Sequence, residues 1–327
     1  MRSTRTMAAG VALIAAVAAL TAGCGSGGGS AAADGKKVYA LLPQGNDQPY
    51  GTEYLKAMKA QAKEDGIDLT ITNSQYDADK QASDCQVAVA AKPALIILWP
   101  AVADTVRPCL ERAKAANIPV TITNSDVKEQ DKSLTAGYSG PDTYGQGAAS
   151  AEIMCELAGG KPTNILEIEG LTGNTTAINR KAGFDETIAK NCPNVKILAS
   201  QPGDWNKDDS QTVTSEMLTA AGAKNVQGIY AADDTMVAGA IDALQARGVD
   251  PEPLLITSIG NTKLGNPLVV NGELDGTVFQ SSAWDGEHAV ILANDVLEGK
   301  EIGDDQFMPS VKVTAENATD PSVAPNW

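Results

Sequence analysis

Residues 197–239, ILASQPGDWNKDDSQTVTSEMLTAAGAKNVQGIYAADDTMVAG, decide how the chain is read. A strand pattern at Lys196–Ser200 ends in the turn Pro202-Gly203-Asp204-Trp205, and a helical pattern follows over Asp209–Ala221. A second apolar run, Gln227–Ala231, stops at Asp233-Asp234, where another helix opens over Met236–Arg247. Strand, helix, strand, helix in that order gives parallel strands joined by a right-handed crossover. Ligands of open α/β sheets bind just beyond the carboxyl ends of strands, and this stretch puts an indole, Trp205, and a carboxylate, Asp233, at two such ends. The pair suits a small polyhydroxylated molecule, whose C–H faces lie on the ring while its hydroxyls donate to the carboxylate. A structural reading competes, with Trp205 as a half-buried loop anchor and Asp233 as a helix N-cap.

Outward from that stretch the alternation continues in both directions. Upstream, strands are expected at Val38–Leu42, Leu69–Asn73, Leu95–Trp99 and Val120–Asn124, with helices at Tyr54–Asp65, Ala78–Ala91 and Asp104–Ala116. A short strand at Leu134–Tyr138 leads into Ser139-Gly140-Pro141-Asp142, where the alternation restarts and a domain crossing is placed. A helix at Thr143–Leu157, a strand at Asn164–Ile168 and a helix at Thr175–Asn191 complete the approach to the quoted stretch. Beyond it come strands at Leu254–Ser258, Thr277–Gln280 and Val311–Thr314, with a helix at Ala283–Leu297. At 327 residues the chain is long enough for two domains, each with its own core. The expected fold class is α/β: two doubly wound, Rossmann-like halves with a cleft between them lined by strand ends.

The first residues read as an address. Arg2 and Arg5 precede an apolar run from Met7 to Leu20, too short for a comfortable membrane span and followed by small residues, as in a secretory signal. The run ends Thr21-Ala22-Gly23-Cys24, which resembles a bacterial lipobox with Thr21 where leucine usually stands; Cys24 is the expected lipidation site. Residues 25–35, rich in Gly, Ser and Ala, are expected to form a flexible tether. A net charge of −16 argues against nucleic acid as a partner, because phosphate binding relies on clustered Lys and Arg. Four further cysteines, Cys85, Cys109, Cys155 and Cys192, favour disulfides in an exported protein, and four allow three pairings. Cys85 and Cys109 fall on consecutive helices, as do Cys155 and Cys192, so those two pairs are expected. None has zinc spacing, the lone His288 lies in an apolar helical pattern, and no metal or cofactor is expected.

Several segments together resemble the type I periplasmic solute-binding proteins, in particular the ribose-binding-like branch. They are Ala40-Leu41-Leu42 through Gln48-Pro49-Tyr50, Ile118-Pro119-Val120 with Asn124, Gly173-Asn174-Thr175 through Arg180-Lys181-Ala182-Gly183-Phe184, Ala199-Ser200-Gln201-Pro202-Gly203-Asp204-Trp205, and Asp233-Asp234-Thr235-Met236 before Gly239-Ala240. The resemblance spans about Lys37 to Thr314 and implies two lobes joined by a three-segment hinge, closing over one ligand and presenting it to an ABC permease. With it the chain divides into a signal peptide over 1–23, a lipidated tether over 24–36, an N-terminal lobe of 37–139 plus 281–309, and a C-terminal lobe of 140–280 plus 310–327. The implied ligand-binding residues are Gln48, Tyr50, Asn124, Ser125, Arg180, Trp205, Asp233 and Gln280, with Asn261 serving where the family usually has an aspartate. Ribose binders resembling this chain have aspartate and arginine at the positions of Asn124 and Ser125, and an asparagine at that of Asp233. Relocated charges redraw selectivity, since hydrogen bonds to charged groups contribute roughly 1.5–3 kcal/mol against about 1 for neutral ones. Trp99, Tyr138 and Trp284 are further candidate rings, with packing their simpler role.

The resulting expectation is a monomeric, lipid-anchored binding protein on the outer face of a bacterial membrane, taking a neutral monosaccharide or polyol other than ribose for an ABC importer. The alternative shares the fold: a receptor that passes an autoinducer or a sensed sugar to a membrane sensor. A glycosidase built on Asp233 and Asp234 is disfavoured, because adjacent residues at a strand-to-helix junction point apart, whereas two catalytic carboxylates must flank one bond. Gly145-x-Gly147 and Gly170-x-x-Gly173 lack the context of a dinucleotide fingerprint and read as turn and packing glycines.

Overall fold

The apolar tetrad Leu95-Ile96-Ile97-Leu98 is buried on both faces, the mark of a central parallel strand, and in the computed structural model, which describes residues 36–327, it lies inside a sheet. That first half runs β1 (Lys36–Leu42), α1 (Pro49–Glu64), β2 (Ile67–Asn73), α2 (Ala78–Ala90), β3 (Leu95–Leu98), α3 (Arg107–Ala115), β4 (Val120–Thr123) and β5 (Tyr138–Pro141). Helix starts follow local chemistry: Pro49 opens α1, where its missing N–H costs nothing, and Asp77 caps α2 by accepting from the Lys80 N–H. At Asp142 the chain enters the second half: α4 (Thr143–Ala158), β6 (Thr163–Glu169), α5 (Thr175–Asn191), β7 (Val195–Pro202), α6 (Lys207–Ala221), β8 (Gly228–Ala231), α7 (Asp234–Ala246), β9 (Leu255–Thr257), α8 (Gly265–Asn271) and β10 (Gly276–Val278). The last elements are α9 (Ser282–Leu297), β11 (Gln306–Met308) and β12 (Lys312–Thr314).

Among the described residues two six-stranded sheets result, in the orders β11-β5-β4-β3-β1-β2 and β12-β10-β9-β8-β6-β7. All pairs are parallel except β10 with β12. The chain passes between the sheets three times: at Asp142, at Phe279–Ser281 before α9 returns to pack on α1, and at Pro309–Val311 between β11 and β12. Each sheet has its own core. Val38, Leu42, Met58 and Ile97 belong to one face of the first and Leu41, Ile96, Leu110 and Ile122 to the other, while Ile165, Leu166, Phe184, Ile229 and Ile256 centre the second. This is the two-lobed type I arrangement.

Three local readings need correction. The strand expected at Leu134–Tyr138 begins at Tyr138 instead; the polar run Glu129–Leu134 coils into a 3₁₀ turn, because it has too few apolar side chains to fill a sheet position. Helix α8 and strand β11 were not expected: seven residues without a side-chain N-cap, and three residues at a sheet edge with Phe307 exposed, leave little periodic signal. Cys85 is bonded to Cys109 and Cys155 to Cys192, as adjacent helices permit. Closing loops of 24 and 37 residues, each bond contributes on the order of 3–4 kcal/mol by constraining the unfolded chain. The signal segment, Cys24 and the tether through residue 35 lie outside the described residues.

Candidate ligand-binding site

Strand ends of both sheets face one cavity of about 640 Å³. From the first lobe it is lined by Gln44 beyond β1, Gln48 and Tyr50 at the start of α1, Trp99 beyond β3, and Asn124 and Ser125 beyond β4. From the second come Asn174, Thr176 and Arg180 of the α5 region, Trp205 beyond β7, Asp233 beyond β8, and Thr262 beyond β9; Gln280 lies in the crossing after β10. Gln48, Tyr50, Asn124, Ser125, Arg180, Trp205, Asp233 and Gln280 are thus brought together. Asn261 is not: it has no exposed surface, its amide donates to Val323 O at 2.5 Å, and its Oδ1 accepts from Asn266 at 3.0 Å. The next residue, Thr262, lines the cavity in its place. Spacing alone could not show this, because Asn261 adopts a left-handed φ of +50° that redirects the loop.

Trp205 and Asp233 each combine a structural role with a place in the cavity wall. Asp233 caps α7 by accepting from the Met236 N–H at 2.8 Å, yet still lines the cavity. Burial pushes its carboxyl up to about 7, against the pull of its backbone hydrogen bonds and of Arg180. Asp234 points away, accepting from Ser258, from Thr277 Oγ1 at 2.8 Å and from the Thr262 N–H at 2.7 Å. Trp205 is half-buried on Gly170, where an added Cβ would fall 2.1 Å from indole Cη2. The Arg180 guanidinium lies 5.8 Å from the indole centre. Tyr76, Asn124 and Trp205, all in the cavity wall, have φ near +60°. Left-handed backbone in residues with a Cβ costs on the order of 1–3 kcal/mol each, and such strain concentrates where a site demands it.

A count of donors and acceptors shows which groups are free for a ligand. Tyr50 Oη donates to Asp285 Oδ2 at 2.6 Å and accepts from Asn124 Nδ2 and Gln280 Nε2, both at 3.0 Å, so the phenol is saturated and offers a ligand only its ring. Arg180 spends four of its five N–H groups on Gln146 Oε1, Gln280 Oε1 and Ala232 O, leaving one. Gln44 Oε1 and Trp99 Nε1 are buried and have no partner among the described residues. Buried polar atoms are rarely left unpaired, and both residues line the cavity, so these two atoms have hydrogen-bonding capacity to offer there.

Sequence reasoning missed Gln44, Asn174, Thr176, Thr262 and Trp327 as lining residues. Trp327 seals one side of the cavity: its indole N–H donates to Gln280 O at 2.8 Å and its ring meets Tyr50 edge-on at 4.8 Å. Trp99 lines the cavity, whereas Tyr138 donates to Asn124 O at 2.8 Å behind it, and Trp284 stacks on His288 elsewhere on α9. The lobes touch at the cavity edge: Ser125 Oγ lies 2.8 Å from Thr176 Oγ1, Asn174 Nδ2 donates to Ala101 O at 3.2 Å, and the Ala103 N–H donates to Gly173 O at 3.3 Å.

Residues 39–301 match the family model described as periplasmic binding protein domain. The galactofuranose-binding protein YtfQ of Escherichia coli (strain K12) is 32% identical over 236 residues, covering 72% of this chain and 74% of that protein. A xylitol-binding protein of Mycolicibacterium smegmatis is 27% identical over 294 residues, covering 90% of this chain and 81% of the relative. The periplasmic binding component of the arabinose ABC transporter from Shewanella sp. ANA-3, solved with α- and β-L-arabinofuranose bound, superposes with a TM-score of 0.79 at 28% identity, covering 86% of this chain and 93% of that one. Such proteins bind substrates rather than transform them, and those of ABC importers work outside the cytoplasm. With two crossed-over sheets, three interlobe passages and one cavity at their strand ends, the chain belongs to the type I periplasmic binding protein family.

Proposed function

We propose that this protein captures a neutral furanose sugar or short polyol other than ribose by lobe closure and hands it unaltered to an ABC permease. The observation that carries the reading is a wall of indoles interleaved with polar acceptors: Trp205, Trp99 and Trp327 beside the unpartnered Gln44 Oε1 and the Asp233 carboxylate, whose oxygens keep lone pairs beyond its helix cap. Rings take C–H faces and the free atoms take hydroxyls. A neutral ligand is favoured because Arg180 keeps a single free N–H, too few for the bidentate grip on an anion, and its charge faces the Asp233 carboxyl in the same wall. The named ligands of the three relatives, two furanoses and an open-chain polyol, support that ligand class. We further propose a lipid on Cys24, a tether to residue 36, a monomer, and hinge-joined lobes of 37–139 plus 281–309 and 140–280 plus 310–327.

A thermal-shift screen against L-arabinose, D-galactose, xylitol, D-ribose and a sugar acid tests the ligand class. A neutral member other than ribose is expected to stabilise the protein most, by about 2.7 kcal/mol when present at a hundredfold its dissociation constant. Stabilisation by the sugar acid alone, or by nothing in the panel, defeats the reading. Two substitutions localise the site with the best neutral binder. Trp205→Ala removes a stacking surface of about 0.5–1.5 kcal/mol together with the apolar area it buries, so at least a tenfold loss of affinity is expected in isothermal titration. Gly170→Ala leaves the indole in the sequence but pushes it off its seat, and a loss in the same direction is expected. Parent-like titrations for both place the ligand away from Trp205.

A further inference from the structure

Asp285 sits in the first turn of α9, has no exposed surface and does not line the cavity. Its partners are all neutral: Tyr50 Oη at 2.6 Å from α1, Asn124 Nδ2 at 2.6 Å and Thr123 Oγ1 at 3.3 Å from the end of β4. Tyr54 of α1 and Tyr138 of β5 are the other titratable groups that feel it. An ionised carboxylate only accepts, and that one-sidedness propagates. Facing it, Tyr50 must turn its proton inward and Asn124 must present its NH₂. The lone pairs of Tyr50 then face Gln280, which must offer Nε2, at 3.0 Å. The amide of Gln280 is thereby oriented with Oε1 toward the second lobe, where it accepts from Arg180 Nη2. Each link determines the next.

We propose that Asp285 is the positioning residue of the cavity: the acceptor-only end of a directed hydrogen-bond chain, Asp285–Tyr50–Gln280–Arg180, that crosses from one lobe to the other through the hinge. Its consequence is the polarity of the wall. Asn124 turns its NH₂ to Asp285 and keeps Oδ1 as its remaining acceptor, Tyr50 contributes a ring without a free donor, and this part of the first-lobe wall selects a ligand hydroxyl that donates. The selection rests on the sugar-binding reading above; the chain itself does not. Burial holds the Asp285 carboxyl up near about 7, so protonation in the neutral range gives it a proton to donate and releases Tyr50 from its fixed direction.

Two measurements separate the parts. Without any sugar, protein carrying ¹³Cζ-tyrosine is titrated from about pH 8 to about pH 6, the range in which a carboxyl of this kind changes charge; Tyr50→Phe identifies the Tyr50 signal. That signal is expected to move in the parent and to stay still in Asp285→Asn, whose fold is checked by circular dichroism. With L-arabinose and xylitol as probes, Asp285→Asn is expected to weaken whichever the parent binds by about tenfold or more, the scale of a lost hydrogen bond to a charged group. If Asp285→Asn does not fold, Tyr50→Phe cuts the chain at its second link and is expected to weaken binding similarly. A Tyr50 signal that titrates alike in parent and Asp285→Asn, or parent-like affinity in either folded variant, overturns the proposal. A parent that binds neither probe counts against the ligand class alone, and the tyrosine signal still decides the chain.

Discussion

Arg180→Ala is expected to raise the dissociation constant for the bound sugar about a hundredfold or more, on the scale of 2.7 kcal/mol. Arg180 is 4% exposed and burial lowers its pKa, so its charge is held in place only by what it touches. Removing it strips donors from three acceptors at once: Gln146 Oε1, Gln280 Oε1 and Ala232 O. An acceptor left bare costs about 1–3 kcal/mol, and water entering the cavity recovers only part of that. The acceptors also belong to different structural units, since Gln146 hydrogen-bonds onward to Ser310 in the third crossing while Gln280 occupies the second. Loss of Arg180 therefore loosens the hinge as well as the wall. Arg180→Lys is expected to rescue little, because one ammonium lacks the planar fork that reaches acceptors on two sides. Isothermal titration of the three proteins checks both expectations, and parent-like binding by the alanine variant would remove Arg180 from the site.

The largest effect on stability is expected at Gly147. A Cβ there would lie 2.0 Å from Arg180 O on the neighbouring helix, and the reciprocal glycine, Gly183, would place its Cβ 2.1 Å from Tyr144 O. Both obstacles are backbone, which cannot swing aside as a flexible side chain does. Helices α4 and α5 must separate, and with them Gln146 withdraws from Arg180. Overpacking of a well-filled contact costs typically 1–3 kcal/mol and more where backbone must move, so Gly147→Ala is expected to lose about 3 kcal/mol or more. Scanning calorimetry of the ligand-free protein should show a melting temperature lower by roughly 5–10 °C. An unchanged melting temperature would mean that the helices are not pressed together here. Affinity is expected to fall in parallel, because the same contact seats Gln146.

Much of this architecture was written locally. The alternation of apolar runs with 3.6-residue periods identified most strands and helices of both lobes, since each period depends only on residues near in sequence. The positions of Trp205 and Asp233 in the cavity wall were visible for the same reason: a strand end is a local feature, and in this fold strand ends converge. Asp285 was not visible. An acid in the first turn after an N-cap serine reads as an ordinary response to the helix dipole, and nothing nearby in sequence shows that Asn124, 161 positions earlier, lies 2.6 Å away. Trp327 was hidden likewise, because a tail without periodicity carries no signal of where it folds back. Asn261 was misplaced by the dihedral angle of a single residue.

The sequence by itself determined the alternating elements, the two-lobed class and the side chains at the strand ends, because those follow from periodicity and connection rules. Only the tertiary structure decided which polar atoms are already spent inside the protein and which remain for a ligand. Hydrogen-bond saturation is a property of groups that meet across lobes and hinge, and no local pattern encodes it.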